Sequence, residues 1–289
     1  MTTSYPPDKR LIVDRQELRD LPEHWLFDAL SKLTARDNLL EQLPDRLWTL
    51  PELRVLSVGN NKLARIPAEI GNLTTLTHLF LDGNPFTTVP ETLGNLTGLH
   101  TLDLGHCDLT SLPGTLVNLQ QMEFFYASDN RLTEFPEWVG QLVHLRYFNM
   151  TDNALTIVPD SVGSMAALRE LRLYNNQITA LPDSIGNLAQ LRELYLRGNQ
   201  IIALPDSIGN LRDLRLLDMR NNALQNIPDS MGQMTNLLYI DLRGNRIMDV
   251  PETLLSLPRL EKIDLRWNRM EAKNDALLEL EARGVLVYI

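Results

Sequence analysis

Residues 191–213 read LRELYLRGNQIIALPDSIGNLRD, and the same frame opens again at Leu214. The stretch begins by alternating, with Leu194 and Leu196 apolar and Tyr195 and Arg197 polar. A period of two places successive side chains on opposite faces of a strand, so the leucines point to a core and Tyr195 and Arg197 point away. Asn199 comes next, then Ile201, Leu204 and Pro205. Proline has a nearly fixed φ and no N–H to donate, which suits the start of a helical turn and not a strand interior. Ile208 and Leu211 then supply a second apolar edge at near-helical spacing.

The frame recurs every 23 residues without insertion or deletion, opening at Leu30, Leu53, Leu76, Leu99, Met122, Leu145, Leu168, Leu191, Leu214, Leu237 and Leu260. A period in this range marks a stacked solenoid, in which each repeat buries its apolar face against its neighbours. An asparagine column runs from Asn38 to Asn268 and is broken once, by Cys107. Buried amides need partners and can bridge the backbones of adjacent turns, and Cys107 reads as a structural substitute in that column. Prolines fill one column from Pro44 to Pro251, and glycines from Gly71 to Gly232 read as turn glycines.

The unit, LxxLxLxxNxLxxLPxxIGxLxx, resembles the leucine-rich repeat family over about residues 17 to 270. Its LPxxIGxL half is similar to the 23-residue class of plant intracellular Ras-group proteins and animal LAP-type scaffolds. Bacterial cytoplasmic proteins and translocated effectors carry similar repeats. The resemblance implies an α/β solenoid, a horseshoe with a concave parallel β-sheet and helical or 3-10 turns on its convex side. It also implies a binding habit and not a reaction. The domain reading is an N-terminal cap with a degenerate half-repeat over 1–29, eleven repeats over 30–270, and a capping helix with an edge strand over 271–289. Within those ends, Trp25, Leu26 and Phe27 are expected to fold over the first turn, and Asn274 to cap a helix that stops at Gly284.

Composition narrows the function classes. Net charge is −10 and the pI is about 5.0, so neither nucleic acid nor an anionic membrane is an expected partner. The opening residues MTTSYPPDKR carry no apolar signal core, and one cysteine excludes an internal disulfide, so a reducing cytoplasm is the expected setting. No cofactor or metal is expected, and the chain is expected to be a monomer.

Residues pointing away from the core at the third, fifth and seventh positions of each unit are expected to line the concave face. Phe80, Phe124, Tyr126, Tyr147, Tyr174 and Tyr195 put rings there, in a chain with 6% aromatic residues. Aromatic residues on a rigid sheet give large contact area for few frozen torsions. They are the expected anchors for a protein or peptide, with Arg172, Arg197 and Arg220 orienting it. Two ladders flank them, Asp218, Asp241 and Asp264 beside Arg197, Arg220, Arg243 and Arg266. These read either as a self-satisfied surface or as forks for a partner's carboxylates.

The leading function is a non-enzymatic intracellular protein-interaction module. A second reading is an effector delivered into a host cell to act on signalling or ubiquitin machinery. A third is a metal-dependent enzyme using His78, His100 and His106. Against this last reading, the sequence holds no HExxH, paired CxxC, phosphate-binding loop or GxSxG.

Overall fold

The computed structural model describes residues 9–289; residues 1–8 of the expected cap lie outside the described residues. The chain forms two compact units, Met1–Leu132 and Thr133–Ile289. The first carries the three-residue strands β1 (Arg10–Ile12), β2 (Lys32–Thr34), β3 (Val55–Ser57), β4 (His78–Phe80), β5 (Thr101–Asp103) and β6 (Phe124–Tyr126). The second carries β7 (Tyr147–Asn149), β8 (Glu170–Arg172), β9 (Glu193–Tyr195), β10 (Leu216–Asp218), β11 (Tyr239–Asp241), β12 (Lys262–Asp264) and β13 (Leu286–Tyr288). Within each unit every strand pairs in parallel with the next, and equivalent positions of the repeat face each other, as in Glu193 opposite Leu216. That register follows from an unbroken period, because coils of equal length stack their columns directly.

Strand β1 adds a coil to the amino-terminal segment read as a degenerate half-repeat. It pairs Arg10 with Lys32, one residue short of the period. Leu21, Leu26 and Phe27 of this coil are buried. At the other end, Asn274 accepts from the Leu277 N–H at 3.0 Å and caps helix α1 (Asp275–Ala282). Gly284 follows the helix with φ of +93°, a left-handed conformation that favours glycine.

The turns after the prolines are 3-10 helices, five residues long from Asp45–Thr49 onward. In each, the proline carbonyl accepts the first turn bond, as in Ile208 N–H to Pro205 at 3.0 Å. The glycine column needs a different reason from the one the sequence suggests. Gly71, Gly94, Gly140, Gly163, Gly186, Gly209 and Gly232 have no positive φ. They let adjacent turns touch: a Cβ on Gly209 would lie 2.3 Å from the Ser230 carbonyl oxygen. Positive φ sits instead on the residue before each asparagine, for example Asn60 at 53°, Gly83 at 65° and Asn175 at 54°.

The asparagines form the bridging ladder. Asn61 Nδ2 donates to the carbonyls of Ala35 and Val58 at 2.9 Å, and its Oδ1 accepts from Leu40 N–H at 3.0 Å. Cys107 supplies only part of this. Its Sγ lies 3.3 Å from the Gly105 carbonyl and 3.8 Å from that of Leu81, but it has no amide oxygen for the N–H one coil earlier, which the frame assigns to Phe86. Burial pushes the thiol up to about 12, so it stays protonated and unreactive. Cys107→Asn is expected to raise stability by about 1 kcal/mol. In thermal melts this appears as an increase of a few degrees; a lower midpoint would contradict the ladder assignment.

Candidate functional site

The outward columns are less open than their alternation suggests. Thr34, Ser57, Asn149, Asp218 and Asp264 all occupy the fifth column, yet all are buried, and Asp264 has 0% exposure. Strands roughly 4.8 Å apart press neighbouring side chains together, and long arginines lie over the short carboxylates. Larger residues in these columns remain reachable. Phe80, Tyr126, Tyr147, Arg172, Tyr174, Tyr195, Arg197 and Arg220 are half-buried, and Phe124 is exposed.

Phe80, Phe124 and Tyr126 belong to the first unit, on β4 and β6. The other expected anchors belong to the second, where the structure brings five of them into ring–guanidinium contacts. The Arg172 guanidinium sits over Tyr195 at 4.9 Å and Tyr147 at 5.5 Å from the ring centroids, spanning β7 to β9. Its Nε donates to Glu170. Burial works against the charge of Arg172, but the Glu170 carboxylate outweighs it and raises the pKa. Arg197 lies 4.6 Å over Tyr174. The Tyr195 hydroxyl donates to Glu193 Oε2 at 2.6 Å, and burial together with that carboxylate keeps the phenol protonated well above its ordinary range. Such contacts limit the rotamers of the rings before any partner arrives.

The charge ladders are internally satisfied. Arg220 Nε and Nη2 grip Asp218 at 2.9 and 2.6 Å, and Arg243 with Asp241 and Arg266 with Asp264 repeat the fork. Burial would raise the Asp264 pKa, but the Arg266 and Arg243 charges overcome it and hold the carboxyl below its usual range. Arg220 therefore offers a partner only the N–H groups left over from its fork with Asp218. Arg197 differs, because Tyr195 stands where its column-mates have aspartate. Among the described residues no carboxylate lies within ion-pair distance of Arg197. Beside it, Tyr195, Leu216, Arg220, Tyr239, Asp241 and Lys262 border a depression of 230 Å³. That is below the roughly 300–1,000 Å³ of small-molecule sites and suits a single side chain.

In the first unit Arg36 reaches past Gly59 to Asp82, with Nη1 and Nη2 at 2.8 and 2.6 Å from its oxygens. A Cβ on Gly59 would come within 2.6 Å of both groups, so glycine opens the path. His78 and His100 stack at 6.4 Å between centroids, while His106 is bonded to Asp129 at 2.8 Å. Among the described residues no three His, Cys, Asp or Glu side chains are placed to hold a metal ion.

Three aromatic residues outside the expected anchors are more open than most of them. Tyr239 and Tyr288 are exposed, and Trp267 has 72% exposure. Trp267 also has φ of +63°, in the column otherwise filled mostly by Asn, Asp and Gly, and lies within 6 Å of the Arg243 and Arg266 guanidiniums. A bulky residue in that backbone region is costly, and the sequence signal was the break in the column.

Comparisons with known proteins agree with this architecture. The model of the leucine-rich repeat region matches residues 42–142 and 183–282, and that of the leucine rich repeat matches 143–201. A leucine-rich repeat protein of Leptospira interrogans is similar in structure at a TM-score of 0.92 and 30% identity, over 97% of this chain and 72% of that one. The Arabidopsis receptor kinase HAESA, solved with the peptide hormone IDA and the co-receptor SERK1, is similar at 0.76 and 30%, over 86% of this chain and 44% of that one. An internalin of Listeria monocytogenes shares the fold at 0.75 and 22%, over 97% and 86%. No curated protein sequence matches the chain. The family's fold is a protein-interaction scaffold, typically without enzymatic activity. On its repeat frame, its parallel coils and these matches, the chain belongs to the leucine-rich repeat family.

Proposed function

We propose that this chain is a non-enzymatic module that binds a protein or peptide on the outward face of its sheet, with Tyr147, Tyr174 and Tyr195 as anchors and Arg172 and Arg197 orienting the partner. The observation that carries the proposal is the ring–guanidinium array over β7 to β9, which holds three half-buried tyrosines on a rigid sheet. A preformed face binds with little ordering cost, so each ring contributes most of its buried area to affinity. The unpaired guanidinium of Arg197 supplies direction, since a carboxylate from the partner would complete the fork its neighbours complete internally. Structural relatives solved with a peptide, such as HAESA, support a protein or peptide as the ligand class. The setting we propose is the cytoplasm, where a lone thiol needs no disulfide partner.

The test is affinity capture with wild type and with Tyr147→Ala/Tyr174→Ala/Tyr195→Ala, each checked for an unchanged circular dichroism spectrum. Truncating hot-spot residues costs about 2 kcal/mol or more apiece, so specifically retained partners are expected to fall by at least about tenfold. A folded variant that keeps the same partners at the same level would end the proposal. Should the triple variant unfold, Arg197→Ala alone is expected to weaken capture while leaving the melting temperature unchanged.

A further inference from the structure

The residue that precedes each strand from β7 to β10 is arginine: Arg146, Arg169, Arg192 and Arg215. Their backbones are locked in register, with Arg169 N–H donating to Arg146 O, Arg192 N–H to Arg169 O and Arg215 N–H to Arg192 O, at 2.8 to 2.9 Å. The four guanidinium-bearing side chains are exposed and rise from neighbouring strands roughly 4.8 Å apart. Among the described residues no carboxylate is within ion-pair distance of Arg169, Arg192 or Arg215. The two glutamates that follow in sequence are engaged elsewhere, Glu170 with Arg172 and Glu193 with the Tyr195 hydroxyl. The equivalent positions in the first unit are Ser31, Arg54, Thr77, His100 and Glu123, so the repeat itself does not demand arginine.

Like charges on adjacent strands repel, and a chain of net charge −10 has carboxylates enough to neutralise such a row. The fifth and seventh columns do this with internal forks. Arg169, Arg192 and Arg215 have no such fork, so their charge is left for an external anion. Their span, two strand spacings or roughly 10 Å, matches a run of about three residues of extended peptide. A long polyanion would extend from this short row over an acidic surface, which opposes it.

We propose that the Arg169–Arg192–Arg215 row is a docking strip for a short acidic segment, rich in Asp and Glu, of the protein partner. This rests on the reading above that the partner is a protein, and adds its charge pattern. Guanidinium forks accept carboxylates two bonds at a time, and a row of them fixes the direction of the segment beside the tyrosine face.

Fluorescence anisotropy with a labelled hexaglutamate peptide tests the strip, with a single-stranded oligonucleotide of similar length as the second probe. The full chain is compared with Arg169→Gln/Arg192→Gln/Arg215→Gln, at about 20 mM and about 150 mM salt. Hexaglutamate is expected to bind wild type, to weaken with salt, and to lose about tenfold or more in affinity in the triple variant. Removing mutually repelling surface charges leaves the melting temperature unchanged or raises it, so folding does not confound the comparison. Absent binding of hexaglutamate at low salt, or equal binding by the variant, overturns the proposal. Tighter binding of the oligonucleotide, lost in the same variant, also overturns it and assigns the row to phosphate. Each of these failures leaves the tyrosine-face capture result untouched, because Tyr147→Ala/Tyr174→Ala/Tyr195→Ala retains the arginine row.

Discussion

Asn199→Leu is expected to lower the unfolding free energy by about 3 kcal/mol. The Asn199 amide donates to the carbonyls of Leu173 and Leu196 at 3.0 and 2.9 Å, and its Oδ1 accepts from Ile178 N–H at 3.0 Å. Leucine fits the volume and apolar character of the site but satisfies none of these groups. Three backbone polar groups then lie buried without partners, at about 1–3 kcal/mol each before relaxation. Because each coil touches only its neighbours, the weakened step also separates the coils on either side of it. Urea denaturation followed by circular dichroism measures the loss, with Gln200→Leu, an exposed neighbour, as the control. A difference below about 1 kcal/mol between the two variants would refute the bridging role of the ladder.

Asp103→Asn is expected to act in the opposite direction, raising stability by about 2 kcal/mol at pH 7 and removing a pH dependence from the wild type. The Asp103 carboxyl is pushed up to about 6, chiefly by burial, with the Asp82 charge adding to it. One backbone donor, Gly105 N–H at 3.0 Å, and the Arg36 charge only partly compensate, since Arg36 is held by Asp82. In the unfolded chain the group ionises near 3.9. The folded state therefore binds the proton more tightly than the unfolded state does between about pH 4 and pH 6, and stability falls as pH rises through that window. Above about pH 6 the penalty is complete and the profile levels off. Asparagine keeps an acceptor for the Gly105 N–H and carries no charge, so the variant should be flat where the wild type declines. Parallel profiles for the two proteins across pH 4 to 7 would show that the carboxyl is not buried as described.

Much of this architecture was written in the period. Leu194 and Leu196 set the buried face, Pro205 starts the turn, and Asn199 bridges coils, because each role depends on residues within one coil or at the same place in the next. Asn274 and Gly284 marked the ends of α1 for the same reason, since caps are local chemistry. The aromatic and arginine positions of the candidate face were also legible, as third, fifth and seventh places in the frame. What alternation misjudged was how open those places are, for it reports which side of a strand a residue leaves and not what its neighbours cover.

The coil, its register and the identity of every column were already set by the repeat, since an unbroken period forces equivalent residues into line. Which side chains pair across that line depended on how the stacked coils pack. That packing buried Asp264 beneath Arg266, turned the glycine column into a contact between adjacent turns, and left Arg197 and the Arg169–Arg192–Arg215 row without carboxylates. The physical reason is that backbone periodicity is a property of one chain segment. Ion pairing and burial depend instead on distances between segments, which exist only once the coils have stacked.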